Sequence, residues 1–198
     1  MKKIMFSERY GLGQAVLAGT KTMTRRIVPI DLYNQTDWKA VAEGDFEAVV
    51  DGEGYYHDIR NCGKYHIGEE VAIAQAYQTL LWPALPGIDW KAITDEVTHS
   101  KGWTNKMFVK AEYMPHRIRI TGIKVERLQD ISDEDAMREG LLAGEQEPRM
   151  YGFRLPKGTV LSFLTPREAF AALIDRISGR GTWQSNPWVY AYTFELIK

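Results

Sequence analysis

The stretch RIRITGIKVER alternates apolar and polar residues as a β-strand does, but it changes phase once. Ile118 and Ile120 share one face of the predicted strand. After Gly122 the apolar positions become Ile123 and Val125, so the pattern has moved by one residue. Because such a slip turns a buried face towards solvent, a bulge or sharp bend at the glycine must absorb it. The chain is therefore predicted to be a mixed α+β protein around a bent antiparallel sheet, of the kind found in small closed barrels.

Two later segments carry helix start signals. Ser132 is a predicted N-cap, and Asp135, three residues on, is predicted to complete a capping box. Thr165 and Glu168 form the same kind of pair before apolar residues at helical spacing, and Gly179 is a natural stop. Both segments are predicted to be helices.

The two ends of the sequence are each predicted to contain a strand. KKIMFS has the pattern of a short strand, and Ser7 is a predicted cap for the helix that follows it. The closing run NPWVYAYTFELI places Trp188, Tyr190 and Tyr192 on one face. These rings could stack on nucleic-acid bases, although an aromatic face on a terminal strand is usually part of the core.

Three segments lack periodicity and are predicted to be insertions in a single domain that spans residues 1–198. They cover about 31–66, 78–106 and 143–164. The second contains WPALPGIDW and is long enough to be a lid or a binding loop.

Composition limits the class of protein. The chain has 198 residues, of which 44% are hydrophobic and 26% charged, so it can bury a core without disulfides or metals. Its single cysteine, Cys62, suits a reducing compartment. No signal peptide is recognisable and no apolar run reaches 18 residues, so we expect a cytoplasmic protein with no membrane partner.

The charge is unevenly distributed along the chain although its net value is −1. Residues 101–127 carry seven lysines and arginines against two glutamates, and Arg117 and Arg119 lie in the predicted strand. Such a positive stripe could attract phosphates or another anionic ligand. The alternative is that it is simply the polar outer face of a strand.

The stretch AVLAGTKTMTRRIV gathers an ammonium, three hydroxyls and two guanidinium groups where the first helix ends. In a regular strand Lys21 and Thr24 would point to opposite faces, so a shared site requires a tight turn or bulge between them, which the helix exit at Gly19 could supply. Arg25 and Arg26 are neighbouring cations that could lower the pKa of Lys21. The alternative interpretation is a solvated turn with ordinary strand threonines.

The same stretch resembles the signature of the ASCH domains, which are PUA-like pseudo-barrels. That signature, G-x-K-x-x-[T/E]-x-R, matches Gly19, Lys21, Thr24 and Arg26. Segments resembling phage and gut-bacterial ASCH proteins follow in order, namely MP-x-RI, V-x-RLQDIS-x-EDA and NPWV. The chain departs from many of those relatives by carrying AlaGln, residues 74–75, where they have an Arg-Glu pair.

The resemblance implies a nucleotide- or RNA-binding protein. Its ligand would lie in a cleft lined by Gly19, Lys21, Thr24 and Arg26, and the positive stripe adds Arg117 and Arg119 as candidate ligand contacts. One ASCH subgroup is an amidohydrolase that acts on N-acetylated cytidine, and the match places its lysine, threonine and glutamate at Lys21, Thr24 and Glu139. Whether this chain is an enzyme stays open, and a nuclease is the weakest alternative because the sequence shows no acidic metal cluster.

No cofactor or metal is expected. His57, Cys62 and His66 have a spacing that zinc could use, but a fourth ligand such as Asp58 would have to be added. Packing of the cysteine is the preferred interpretation.

Overall fold

The computed structural model describes residues 1–80, 90–145 and 149–197. The strands are β1 Lys2–Ile4, β2 Met23–Ile27, β3 Glu47–Val50, β4 Tyr56–Asp58, β5 Glu70–Ile73, β6 Arg117–Arg127, β7 Leu142–Ala143, β8 Tyr151–Arg154, β9 Val160–Phe163 and β10 Trp188–Ile197. The α-helices are α1 Leu12–Leu17, α2 Ile30–Asn34, α3 Trp38–Glu43, α4 Tyr77–Leu80, α5 Trp90–Thr98, α6 Asp133–Arg138, α7 Pro166–Ser178 and α8 Thr182–Ser185. The predicted mixed α+β class is confirmed.

The main sheet has five strands in the order β1-β5-β6-β10-β2. Its pairs are antiparallel except for β1 and β5, which run parallel. The predicted antiparallel sheet is therefore mixed at this edge, because the N-terminal strand lies beside β5 in the same direction. None of the sheets formed by the described strands closes into a barrel.

The phase change in β6 is a bulge. Thr193 of β10 pairs with Gly122, but the next residue, Phe194, pairs with Ile120, so Thr121 has no opposite partner. The extra residue restores the alternation, and Ile120 and Val125 are both buried on either side of it. The predicted irregularity next to the glycine is confirmed.

The core is built mainly on β6, β10 and α7. The alternating aromatic residues of β10, Trp188, Tyr190, Tyr192 and Phe194, are all buried, which confirms the core interpretation of that face. A smaller apolar cluster lies around Ala72 and Ala74, next to α4 and α5. Successive residues of β5 pack into different apolar clusters, because successive side chains of a strand point to opposite faces of the sheet.

Two of the segments predicted to be aperiodic insertions contain ordered elements. Residues 31–66 lie outside the main sheet, yet they form α3 and the β3–β4 hairpin and bury Val41, Val49, Ile59 and Tyr65 in the main core. Residues 143–164 contain most of a three-stranded sheet. Their elements are only two to six residues long, which is too short for a periodic pattern to appear. In the remaining segment, residues 81–89, with most of the suggested lid WPALPGIDW, lie outside the described residues.

Both predicted helices are present, but only one of the two predicted capping boxes is complete. Thr165 and Glu168 form a complete capping box at the start of α7, and Gly179 follows its last turn. The Ser132 hydroxyl accepts the Asp135 N–H, but the Asp135 carboxylate turns to Arg25 and Arg138 instead of closing the box.

The predicted Ser7 cap is wrong. Its side chain makes no capping hydrogen bond, and Gly11 has a φ of +70°, which separates a short 3-10 turn from α1. A positive φ cannot continue a right-handed helix, so the turn and the helix are distinct elements.

No helix in the described ranges has both the length and the apolar character to cross a membrane.

Candidate ligand-binding site

The turn after α1 ends at Lys21 and therefore lies before the segment that joins Lys21 to Thr24. Gly19 has a φ of +74°, and the amides of Thr20 and Lys21 both donate to the carbonyl of Ala15, at 2.9 and 3.0 Å. Lys21 then forms an isolated bridge with Glu139, and β2 begins only at Met23. The irregular segment between the Lys21 bridge and the start of β2, and not the turn at Gly19, lies between Lys21 and Thr24.

Lys21 is a buried, fully bonded ammonium. Lys21 is only 2% exposed to solvent. Its Nζ donates hydrogen bonds to Glu139 Oε2 at 2.6 Å, to the Glu139 carbonyl at 2.8 Å and to the Met23 carbonyl at 2.7 Å. Burial lowers the pKa of Lys21, Glu139 opposes that change, and the charges of Arg26 and Arg25 add to it. All three ammonium protons have acceptors inside the protein.

Arg25 extends this pair into a network. Its guanidinium donates to Glu139 Oε1 at 3.1 Å, to Glu126 Oε1 at 2.6 Å and to Asp135 Oδ2 at 3.3 Å. Lys21 and Arg25 therefore share Glu139, one carboxylate oxygen each. Such pairing satisfies charges that would be costly to bury alone.

A cavity of about 180 Å³ lies against this network, and we call it the lysine cavity. Its polar lining includes Lys21, Thr24, Arg25, Arg26 and Glu139. Its apolar lining comes largely from the N-terminal segment, α7 and β10, and includes Phe6, Leu128, Phe170, Leu173, Ile174 and Val189. The Thr24 hydroxyl has no hydrogen-bond partner in the part of the chain that the structure describes.

The lysine cavity brings together four of the residues singled out in the sequence. Lys21, Thr24 and Arg26 line it with Glu139, which comes from the end of α6. Gly19 is not in its lining and contributes the turn instead. The burial of Lys21 also means that removing its side chain should disturb the fold, which a solvated pocket lysine would not do.

Arg117 and Arg119 are not brought to the lysine cavity. Arg119 pairs with Glu70 and Glu195 at 3.1 and 3.2 Å, and Arg117 lies 3.8 Å from Glu70. Further stripe residues also have carboxylate partners, in the pairs Lys106–Glu8, Lys110–Glu96 and Lys124–Asp135. Much of the positive stripe is therefore locally neutralised, and its role in ligand binding stays a prediction.

Sequence reasoning missed Glu126 and Asp135 as members of the network. Glu126 follows the buried Val125 in β6, which gave it the pattern of an outward-facing residue. Asp135 was assigned to helix capping. Neither pattern signals a partner more than a hundred residues away, as Arg25 is for both.

The candidate zinc residues are used otherwise. His57 Nε2 lies 2.7 Å from Asp51 Oδ2, and the Cys62 thiol lies 3.4 Å from the carbonyl of Asp58. Within the described ranges, no group of three histidine, cysteine or acidic side chains is placed to hold a metal ion.

No protein-family model and no curated protein matches this chain. A crystal structure of a DUF984-family protein from Enterococcus faecalis V583 is similar at 14% sequence identity and a TM-score of 0.36. The alignment covers 94% of this chain and 66% of that one, so the chain spans just under two thirds of its length. A likeness this distant carries no argument about the function of the lysine cavity.

Proposed function

We propose that the chain is an ASCH-type, PUA-like protein whose lysine cavity binds a nucleotide or single-stranded RNA. The observation that carries the proposal is the convergence of Lys21, Thr24, Arg26 and Glu139 on one cavity. These residues belong to two segments more than a hundred positions apart, and three of them occupy the motif shared with ASCH domains.

Two polar groups of the motif segment remain available to a ligand in the lysine cavity. The Thr24 hydroxyl is unpartnered among the described residues, and the Arg26 guanidinium donates only to the carbonyls of Met5 and Arg25. A hydroxyl and a positive guanidinium beside an apolar wall suit a base or sugar with a nearby anionic group. Binding is favoured over catalysis because the ammonium of Lys21 is already fully hydrogen-bonded.

The test is isothermal titration calorimetry with the four ribonucleoside 5′-monophosphates and a ten-nucleotide RNA. We expect binding to at least one of them, and a loss of about tenfold in affinity for Arg26→Gln, because a charged hydrogen bond is removed. Arg180→Gln is the matched control, since Arg180 is exposed and lines neither described cavity near Arg26. The proposal fails if none of the probes binds, or if Arg26→Gln binds as tightly as the wild type.

Amide hydrolysis is the second candidate, and the burial of Lys21 favours it. Burial lowers the pKa of Lys21, and its Nζ lies 2.6 Å from a carboxylate that could carry a proton. A neutral Lys21 would take the Thr24 hydroxyl proton while Oγ1 attacks the amide carbonyl carbon. The amine would leave with that proton, and water would then hydrolyse the acyl-threonine and restore the hydroxyl.

Incubation with N-acetylcytidine distinguishes this candidate from simple binding. A hydrolase should release cytidine and acetate in equal amounts, and Thr24→Val should abolish the release. Thr193→Val is the control, because Thr193 lies on the neighbouring β10 and outside the cavity lining. If the wild type releases no cytidine, the hydrolase candidate is rejected for this substrate and the binding proposal is unaffected.

A further inference from the structure

A second cavity, of about 240 Å³, adjoins the lysine cavity. The two share Met5, Arg26 and Ile27 in their linings. Three tyrosines, Tyr65, Tyr190 and Tyr192, line the second one, and we call it the tyrosine cavity.

The tyrosine cavity is positively charged. Its described lining contains Lys3, Arg26 and Lys64 and no acidic residue. No carboxylate of the described residues pairs with any of the three, in contrast to Lys21 and Arg25 of the lysine cavity and much of the stripe. The Lys3 ammonium donates to the carbonyls of Met107 and Val109. Three cations without counter-charge at one concave surface make an anion-binding environment.

The aromatic wall fixes the segment that carries Lys64. Tyr190 and Tyr192 stack with ring centroids 5.7 Å apart, and Tyr65 meets Tyr192 edge-on at 5.3 Å. A Cβ on Gly63 would lie 2.6 Å from the Tyr192 hydroxyl, so the backbone before Lys64 is packed directly on the tyrosines. Lys64 is therefore held at the rim by its neighbours, and its ammonium lies 5.5 Å from the centre of the Tyr65 ring.

The size of the cavities favours one ligand across both. Sites for small molecules usually have volumes of about 300 Å³ or more. Each cavity is smaller than that, whereas the two together exceed it. Arg26 lines both and can contact either part of a ligand that crosses between them.

We propose that the tyrosine cavity is a phosphate subsite on Lys3, Arg26 and Lys64, and that the ligand of the lysine cavity is a nucleoside monophosphate. This inference rests on the proposed function, because it takes the lysine cavity to hold the nucleoside part. It adds the class of ligand: a phosphorylated one should bind more tightly than the uncharged nucleoside, and the preference should weaken as salt is raised.

The experiment compares cytidine, cytidine 5′-monophosphate and inorganic phosphate by NMR titration of the labelled full chain. The monophosphate should bind at least about fivefold more tightly than cytidine, the gain expected from charged hydrogen bonds at a solvated rim. It should shift the amide signals of Gly63 and Tyr65. Lys64→Gln should remove most of the preference without changing cytidine binding. Lys157→Gln, an exposed turn lysine outside both linings, should keep it.

The outcomes separate this inference from the proposed function. If cytidine shifts the Thr24 amide but the monophosphate binds no more tightly and Lys64→Gln has no effect, the phosphate subsite is overturned and the proposed function stands. If inorganic phosphate shifts Gly63 while neither cytidine nor its monophosphate shifts Thr24, the nucleotide assignment and the proposed function both fail. A ten-nucleotide RNA could also bind over tenfold more tightly than the monophosphate and lose that advantage in Lys64→Gln. That result would overturn the assignment of the ligand as a mononucleotide and identify it as a single RNA strand.

Discussion

The lysine cavity and the tyrosine cavity share Arg26, yet their other cations are in opposite situations. Lys21 and Arg25 are buried and paired with Glu139, Glu126 and Asp135. Lys3 and Lys64 have no carboxylate partner in the described part of the chain. Paired buried charges hold a wall in one geometry, whereas unpaired charges at a rim are available to an anion. The first cavity is therefore expected to provide shape and the second to provide charge.

The largest expected effect comes from breaking the buried pairing. Glu139→Gln removes the charge that Lys21 and Arg25 share, and we expect the free energy of unfolding to fall by about 3 kcal/mol or more. Chemical denaturation measures this. Arg119→Gln, which breaks exposed ion pairs, should leave the stability almost unchanged. If both substitutions lowered the free energy of unfolding equally, the Lys21–Glu139–Arg25 network would stabilise the fold no more than exposed ion pairs do.

The next effect concerns the close approach of α6 to Lys21. Gly140 has a φ of +94°, and a Cβ there would lie 3.1 Å from the Lys21 Cβ and 3.3 Å from that of Ala15. Gly19 also has a positive φ, of +74°, so Gly19→Ala has the same backbone cost. A Cβ at Gly19, however, would have no atom within 4 Å. Gly140→Ala should therefore reduce the free energy of unfolding by about 1 kcal/mol more than Gly19→Ala, through crowding of the lysine wall. A thermal unfolding comparison with no such excess would contradict that packing.

The pH dependence of stability tests the state of Lys21. Burial lowers the pKa of Lys21 in the folded protein below 10.5, so the folded state loses this proton before the unfolded state does. Unfolding then takes up a proton, and stability should rise with pH between the folded pKa and 10.5. The free energy of unfolding of the wild type should rise relative to Lys21→Met as pH increases from 7 to 10. A constant or falling difference would mean that Lys21 stays charged in the fold throughout.

The sequence was most informative where a pattern is local. The phase change at Gly122 located the bulge, and the motif at Gly19 located the turn and two residues that line the lysine cavity, Lys21 and Thr24. Both depend on a few consecutive residues whose backbone geometry follows from side-chain alternation or a positive φ.

The remaining features depend on contacts that no short pattern records. Glu126 reaches Arg25 across 101 positions, and the tyrosine cavity joins Lys3, Lys64 and Tyr192 from three distant segments. The short elements within residues 31–66 were not predicted, because such elements take their stability from the core they cover. Such pairings are decided by tertiary packing and became visible only in the structure.

The most direct test of the account is the affinity of Thr24→Val for cytidine 5′-monophosphate, measured by calorimetry beside Thr193→Val. Valine keeps the shape of threonine and removes a hydroxyl that lines the lysine cavity and has no hydrogen-bond partner among the described residues. The account predicts that Thr24→Val weakens binding by about 1 kcal/mol, roughly fivefold, while Thr193→Val binds like the wild type. If Thr24→Val binds as tightly as the wild type, the hydroxyl does not face the ligand and the lysine cavity is not the binding site.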